Sequence, residues 1–222
     1  MNKINLINEK IKSYKKDDNV KITFYPENEI EINSFLEKIK SFGKISTRNF
    51  NIDIKSKIID KEEYCKSLKN WIESNKDLKF ELLYRLSENG EKFSKFHELC
   101  DNKGPTLTLF HVDDGNKVGI YTPLILDSKS GWKNDMNTFI FNLNKNKKYK
   151  KLTNDYSLYC YNNYGLFTAD FGNHSSGTMK KIKHFGNFIN DYYENGKDIL
   201  PSNDKEKVYD LKEMEVFKIS TI

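Results

Sequence analysis

The feature that most restricts the fold is a pair of β-patterned runs closed by a short polar turn. Thr106–Val112 is rich in β-branched and apolar residues, Asp113-Asp114-Gly115-Asn116 follows, and Lys117–Tyr121 returns. Turn residues of this kind between two such runs specify an antiparallel hairpin. Shorter runs continue the pattern downstream. Phe139, Phe141 and Leu143 alternate on one face of Thr138–Leu143, a basic loop from Asn144 precedes a strand around Lys150–Leu152, and Tyr156–Tyr161 and Tyr164–Ala169 follow. Val208–Ile219 supplies a closing strand. Residues 170–206 are rich in Gly, Asn and Ser, with apolar groups only in Phe185–Tyr193, which predicts a long loop region with little regular structure.

Helical patterns precede the strands. Asp60 with Glu63 forms a capping-box signature, and Tyr64, Leu68, Trp71 and Ile72 make one apolar face, so a helix is predicted over about Asp60–Glu73. Phe80–Leu86 is an apolar strand, and Phe93, Phe96, His97 and Cys100 fall at i, i+3, i+4 and i+7 of a second helix. Helices ahead of a long run of short strands predict an α+β fold, a two-layer antiparallel β-sandwich flanked by helices, and not alternating βαβ units. This domain is expected to span residues 57–222. Upstream, residues 1–19 form an amphipathic helix on Ile4, Ile7, Ile11 and Tyr14, which also suits a coiled-coil end and self-association. Residues 20–56 are expected to be a small strand–helix unit with too few apolar anchors to stand alone.

The 15 Phe and 13 Tyr among 222 residues each bury a large area, so a hydrophobic fraction of 37% reflects a polar surface and not disorder. The net charge of +5 comes from 37 basic and 32 acidic residues interleaved along the chain, which argues against a nucleic-acid partner. Cys65, Cys100 and Cys160 are odd in number and widely spaced, which fits neither a disulfide framework nor a zinc site and suits a reducing compartment. The first residues lack the roughly 7–15 apolar positions of a signal-peptide core, and no stretch reaches the ~18 that cross a bilayer. Ser220-Thr221-Ile222 is neither a peroxisomal address nor a prenylation box. A cytoplasmic protein is expected.

Ser175-Ser176 with His174 or His184 and Asp170 holds the residue types of a nucleophilic triad, but no nucleophile elbow surrounds them, so a polar loop is the plainer interpretation. His97, His111, His174 and His184 with the cysteines lack the short paired spacing of a metal site. Asp113–Asn116 lacks a calcium-loop ligand series, and Gly104-Pro105-Thr106 lacks the order of a phosphate loop. No catalytic residue, metal or cofactor is therefore expected. Scavenging of oxidants by a thiol requires an exposed, low-pKa cysteine, whereas Cys100 and Cys160 sit in patterns that predict burial. Lys145, Lys147, Lys148, Lys150 and Lys151 form the one concentrated charge feature. It is expected to be a solvated hairpin loop, or else a contact for an acidic protein or an anionic membrane, where ~1 kcal/mol per lysine gives weak peripheral attachment.

Leu82-Leu83-Tyr84-Arg85, then Phe93, Phe96, Cys100-Asp101 and Lys103-Gly104-Pro105-Thr106-Leu107, resemble the "LLYR…F…F…CD.KGPTL" segment of the TLDc domain family. Gly119-Ile120-Tyr121-Thr122 stands where that family has "GGYT". Asp127–Trp132 and Asp135 follow in register, Phe139-Ile140-Phe141 is similar to "FLF", and Glu213-Met214-Glu215-Val216-Phe217 resembles "EIEVF". The landmarks run in order between about Ile58 and Ile219. The chain departs from the pattern at Gly165–Thr178, where relatives carry a glycine run and this chain has Gly165-Leu166-Phe167-Thr168-Ala169-Asp170 before Phe171-Gly172.

The resemblance implies two antiparallel sheets packed face to face and a protein-binding module without a chemical step. It further implies a link to oxidative-stress resistance, cytosolic subunits of the vacuolar proton-pumping ATPase as partners, and a place peripheral to acidic organelles. An enzyme or thiol-based redox protein, and an adaptor assembled through its N-terminal helix, are the alternatives. The motif residues have plausible structural tasks. Gly104-Pro105 would turn the chain from helix to strand with Gly free to take positive φ, Asp101 would bind that turn's amides, and Trp132 would anchor a loop to the core. Gly172 belongs to the same framework.

Overall fold

The computed structural model describes residues 54–73, 76–129, 131–169, 171–173, 178–185, 189–201 and 206–221, all within the unit Phe50–Ile222. The expectations for residues 1–53, and for Asp170, His174, Ser175 and Ser176, lie outside the described residues. In chain order the elements are α1 (Glu62–Ile72), β1 (Leu78–Arg85), α2 (Leu86–Asn89), α3 (Phe93–Cys100), β2 (Thr106–Val112) and β3 (Lys117–Thr122). β4 (Gly131–Lys133), β5 (Phe139–Asn142), β6 (Lys147–Lys150), β7 (Leu158–Cys160), β8 (Phe167–Thr168) and β9 (Phe171–Gly172) follow. The chain then forms β10 (Lys181–Phe185), α4 (Ile189–Tyr192), a 3-10 turn (Gly196–Asp198) and β11 (Glu206–Thr221).

The strand β11 ties the two layers together. Its first residues pair with β10, from Lys181 opposite Asp210 to Phe185 opposite Glu206. Its later residues pair with β2 on one side and β1 on the other. The register with β2 shifts between Leu211 and Glu213, just after the pairing with β10 ends, and a bulge bends a strand where it passes from one sheet to another. One layer therefore contains β1, β11, β2, β3, β5 and β6, and the other β4, β7, β8, β9, β10 and the start of β11. Every described strand pair is antiparallel, and the fold is an α+β sandwich.

The first layer is buried on both faces, which is why its strands read as nearly continuous apolar runs. Phe110, Val112, Val118, Ile120 and Ile140 point into the space between the layers, where they meet Phe171, Ile182 and Tyr209 of the second layer and Phe96 and Cys100 of α3. The alternate positions Leu107, Leu109, Phe139, Phe141, Phe217 and Ile219 point the other way, against Tyr64 and Leu68 of α1. Burying a leucine such as Leu68 contributes ~1.5–3 kcal/mol, so α1 is held by its apolar face and not by its caps. The expected alternation of Phe139, Phe141 and Leu143 is present, with all three in the core beneath α1.

Gly119 shows how tightly that core is filled. A Cβ there would come within 2.3 Å of the Thr108 carbonyl oxygen and 2.3 Å of the Phe141 ring. The ring can move, but the paired β2 backbone cannot. Gly119→Ala is expected to cost about 3 kcal/mol, the upper part of the usual overpacking range, seen as a lower urea midpoint. An unchanged midpoint would show that the sheet yields there.

Several boundaries differ from expectation. The capping box is not formed: Lys61 is the N-cap without a side-chain bond, and the Asp60 carboxylate instead lies 2.6 Å from the Lys117 ammonium, a stronger partner than an amide. Leu86 opens α2 instead of closing β1. The strand expected around Lys150–Leu152 comes earlier as β6, because the turn is completed by Leu143–Asn146, with Asn146 at φ 47°. The runs Tyr156–Tyr161 and Tyr164–Ala169 contribute only the short β7 and β8. Among the described residues of 170–206 there is more regular structure than expected, since β9, β10, α4 and the 3-10 turn all fall there. The strand β10 has a mixed local pattern and forms because β11 supplies a pairing edge, an effect of tertiary structure that a short window does not carry.

Candidate functional site

Most motif residues are framework. Tyr84 is buried and donates its hydroxyl proton to the Gly90 carbonyl at 2.6 Å, with Phe96 edge-on to its ring at 5.6 Å. Leu83 packs against the interlayer core, where Cys100 and Val216 are buried, and Phe217 lies beneath α1. Arg85 and Glu215 face one another across β1 and β11 as a buried ion pair, Nε to Oε1 2.7 Å. The carboxylate of Glu215 also accepts the Lys57 N–H at 2.9 Å and the Ser56 hydroxyl, which fastens the segment before α1 to the sheet. Thr106 is buried at the start of β2 and its Oγ1 has no hydrogen-bond partner.

Two structural tasks need correction and a third holds in part. Gly104 is not at positive φ; it is glycine because a Cβ would lie 2.9 Å from the Leu124 carbonyl oxygen, so close approach and not torsion is its constraint. Asp101 does not bind the amides of that turn: its Oδ1 lies 2.9 Å from His97 Nδ1, and its Oδ2 accepts the Ser128 hydroxyl. His97 Nε2 donates to the Tyr164 carbonyl at 2.8 Å, so the pair joins α3 to two connections. Trp132 meets the core only at its edge, through the buried Phe167 ring at 6.0 Å. It is 38% exposed and packs edge-on against Tyr156 at 4.9 Å and tilted against Tyr159 at 4.9 Å. Gly172 does require its torsion, with φ 125° and Leu166 oxygen 2.3 Å from a built Cβ.

The groups with chemical potential are mostly enclosed. Burial pushes the Cys100 thiol far above its ordinary pKa, and burial followed by the charge of Glu62 raises that of half-buried Cys65. His184 is fully buried beside Phe171, neither ring nitrogen has a partner, and burial lowers its pKa to about 4. Burial and then Lys117 lower that of His111. Among the described residues no His, Cys, Asp and Glu cluster could hold a metal, and no helix is long and apolar enough to cross a membrane.

The lysine run is only partly a solvated loop: Lys145 lies in an exposed turn, whereas Lys148 is half-buried and Lys151 buried. Lys145 donates its ammonium proton to the Asp198 carbonyl, Lys147 lies 3.4 Å from the Asp198 carboxylate, and Tyr149, between the lysines, is buried with its hydroxyl 3.0 Å from the same carbonyl. Lys148 donates to the Trp71 carbonyl at 2.9 Å and stands 4.0 Å above the Phe139 ring. Lys151 is buried, donates to the Asp155 carbonyl, and has its pKa lowered to about 8 by burial. Lys150 is exposed. The physical reason is the strand: alternate residues of β6 point to opposite sides, and the 3-10 turn brings Asp198 against one end.

What the run does border is an open groove of about 560 Å³ between the end of α1 and the strands β3, β5 and β6. Tyr121 and Phe139 stack at 4.9 Å along it, Trp71 and Met136 add apolar surface, and Lys148, Lys150 and Lys151 are the charged groups among the described residues of its lining. An aromatic apron continues from Lys151, whose ammonium lies 5.5 Å from the Tyr192 ring; Tyr192 packs on Tyr156 at 5.1 Å, and Tyr156 on Trp132. Met136, Leu152 and Tyr156 along this surface are exposed. Surfaces rich in Trp, Tyr and Met with a polar rim are typical of protein recognition. Of the groove residues, the lysines were legible as candidate contacts, Tyr121 and Phe139 only as framework and Trp71 only as part of a helix face, whereas Met136, Tyr192 and Asp198 carried no sequence signal beyond their residue type.

The family model described as the TLDc domain matches residues 52–222, the span that holds the sandwich and the groove. No curated protein is similar enough in sequence to match.

Proposed function

This chain belongs to the TLDc domain family, and on that premise we propose that it is a protein-binding module that acts by association, without a chemical step of its own. The match across the whole sandwich carries this proposal. Two physical observations support it. The aromatic and methionine surface beside the groove has the composition of a recognition face. Cys65 and Cys100, the thiols whose surroundings are described, have raised pKa values, which leaves little thiolate for attack on peroxides.

The partner class proposed is the cytosolic part of the vacuolar proton-pumping ATPase, with oxidative-stress resistance as a downstream consequence, and the setting is the cytoplasm, peripheral to acidic organelles. Such a module shifts its partner between states only by the difference between its affinities for them. Immobilised chain should capture cytosolic pump subunits at micromolar concentration. Failure to capture them at that concentration would overturn this choice of partner.

A further inference from the structure

The groove has a recognisable chemistry. At about 560 Å³ it is too large for a single ion and falls in the range of ligand clefts, but it is open along its length, whereas small-molecule sites enclose most of their ligand. One wall is apolar: the half-buried Tyr121 ring, stacked on the buried Phe139, with Met136 exposed beside it. The other is cationic. Lys148 and Lys150 are close enough that the charge of Lys150, after burial, lowers the pKa of Lys148, and neither faces a carboxylate across the groove lining. Asp135 and Glu73 border the groove, where their charges help raise the pKa of Tyr121; Asp135 also accepts the amides of Asn137 and Thr138.

The geometry points to this groove as the docking site for an acidic segment of a partner protein, one apolar side chain lying against Tyr121 and Met136 while flanking carboxylates meet Lys148 and Lys150. An open trough suits an extended peptide, and paired ammonium groups with no carboxylate among the described lining residues favour carboxylates. Lys148 keeps its bond to the Trp71 carbonyl, since an ammonium has three protons to donate. This assignment rests on the binding function proposed above and adds the site and the chemistry of the bound segment.

The test uses the full chain and a blocked peptide, Glu-Glu-Asp-Leu-Asp-Glu-Glu, titrated calorimetrically at low ionic strength, with Lys-Lys-Lys-Leu-Lys-Lys-Lys as its opposite. Saturable binding of the acidic peptide alone is expected, weakened about tenfold or more by Lys150→Glu and by Met136→Glu and unchanged by Lys129→Glu, an exposed lysine outside the lining. Both groove positions are exposed, so their variants should melt as the parent does. Absence of saturable binding, equal loss in Lys129→Glu, or undiminished binding by both groove variants overturns the assignment. The two proposals separate on pump-subunit capture. Retained capture by the Met136→Glu, Lys150→Glu double variant overturns the groove alone, and absence of capture by the unaltered chain overturns the choice of partner.

Discussion

Glu215→Gln is expected to lower the unfolding free energy by about 3–5 kcal/mol, the usual cost of breaking a buried ion pair from one side. The carboxylate of Glu215 is fully buried and accepts from Arg85 Nε, the Lys57 amide and the Ser56 hydroxyl at once. The amide side chain keeps the volume but removes the charge, and it presents a donor to at least one group that itself donates. Arg85 then retains only Glu88, at 2.8 Å and half exposed, and the Lys55 carbonyl at 3.1 Å. Arg85→Met should be damaging for the converse reason, because it leaves a buried carboxylate with two neutral donors. Replacing both partners, Arg85→Met with Glu215→Leu, should recover much of the loss, since the desolvation cost disappears with the charges. Urea denaturation of the four proteins supplies the coupling energy, and single variants within about 0.5 kcal/mol of the parent would show that the pair is not structural. Amide exchange should rise first at Lys57, Ile58 and Ile59, whose N–H groups depend on Glu215 or on the Ser56 hydroxyl that Glu215 holds.

Acid should destabilise the protein through His184 before the carboxylates titrate. The ring is buried without a hydrogen-bond partner, and burial, followed by the charges of Lys145 and Lys207, lowers its pKa from 6.5 to about 4. The sign follows from linkage. Above about pH 6.5 neither the folded nor the unfolded chain protonates this ring, so its contribution is fully present. As pH falls from there toward 4 the unfolded chain binds a proton that the folded chain excludes, and about 3 kcal/mol is lost. His111, also lowered by burial, adds a change of the same sign. Asp60, Glu88 and Asp127, lowered chiefly by hydrogen bonds to Lys117, Arg85 and Lys133, lose their contributions only at more acid pH. His184→Phe should therefore match or exceed the parent's stability at pH 7, because two unpartnered polar atoms are removed, and should flatten the urea midpoint between pH 6.5 and 4.5. An unchanged slope would mean that His184 is protonated in the fold.

The residues that were legible in the sequence are those whose local pattern and tertiary environment agree. Phe93, Phe96, His97 and Cys100 have helical spacing and occupy a helix with the bounds that spacing suggests, and Thr106–Val112 with its polar turn forms the expected hairpin. Where partners are distant, local pattern falls short. Lys147–Lys151 looks solvated in sequence, yet Lys148 rests on Phe139 and Lys151 is buried beside Tyr192 and Tyr193, which lie 41 and 42 residues further along the chain. Trp132 has the size of a core residue, but β4 is the last strand of its layer and offers nothing beyond it to pack against. Asp101 and Gly104 were recognisable as constrained, while two of the partners that constrain them, Ser128 and Leu124, come from the connection between β3 and β4. The groove exists only because α1, β3, β5 and β6 converge, so no single window of sequence contains it.

Association without chemistry makes a quantitative demand on the dose response. Proton uptake by vesicles that carry the vacuolar pump should change as the chain is added, reach its limit when chain and pump are equimolar, and return on dilution. A full effect from a small catalytic fraction of chain, growing with time and persisting after the chain is removed, would contradict a binding module and require an enzyme.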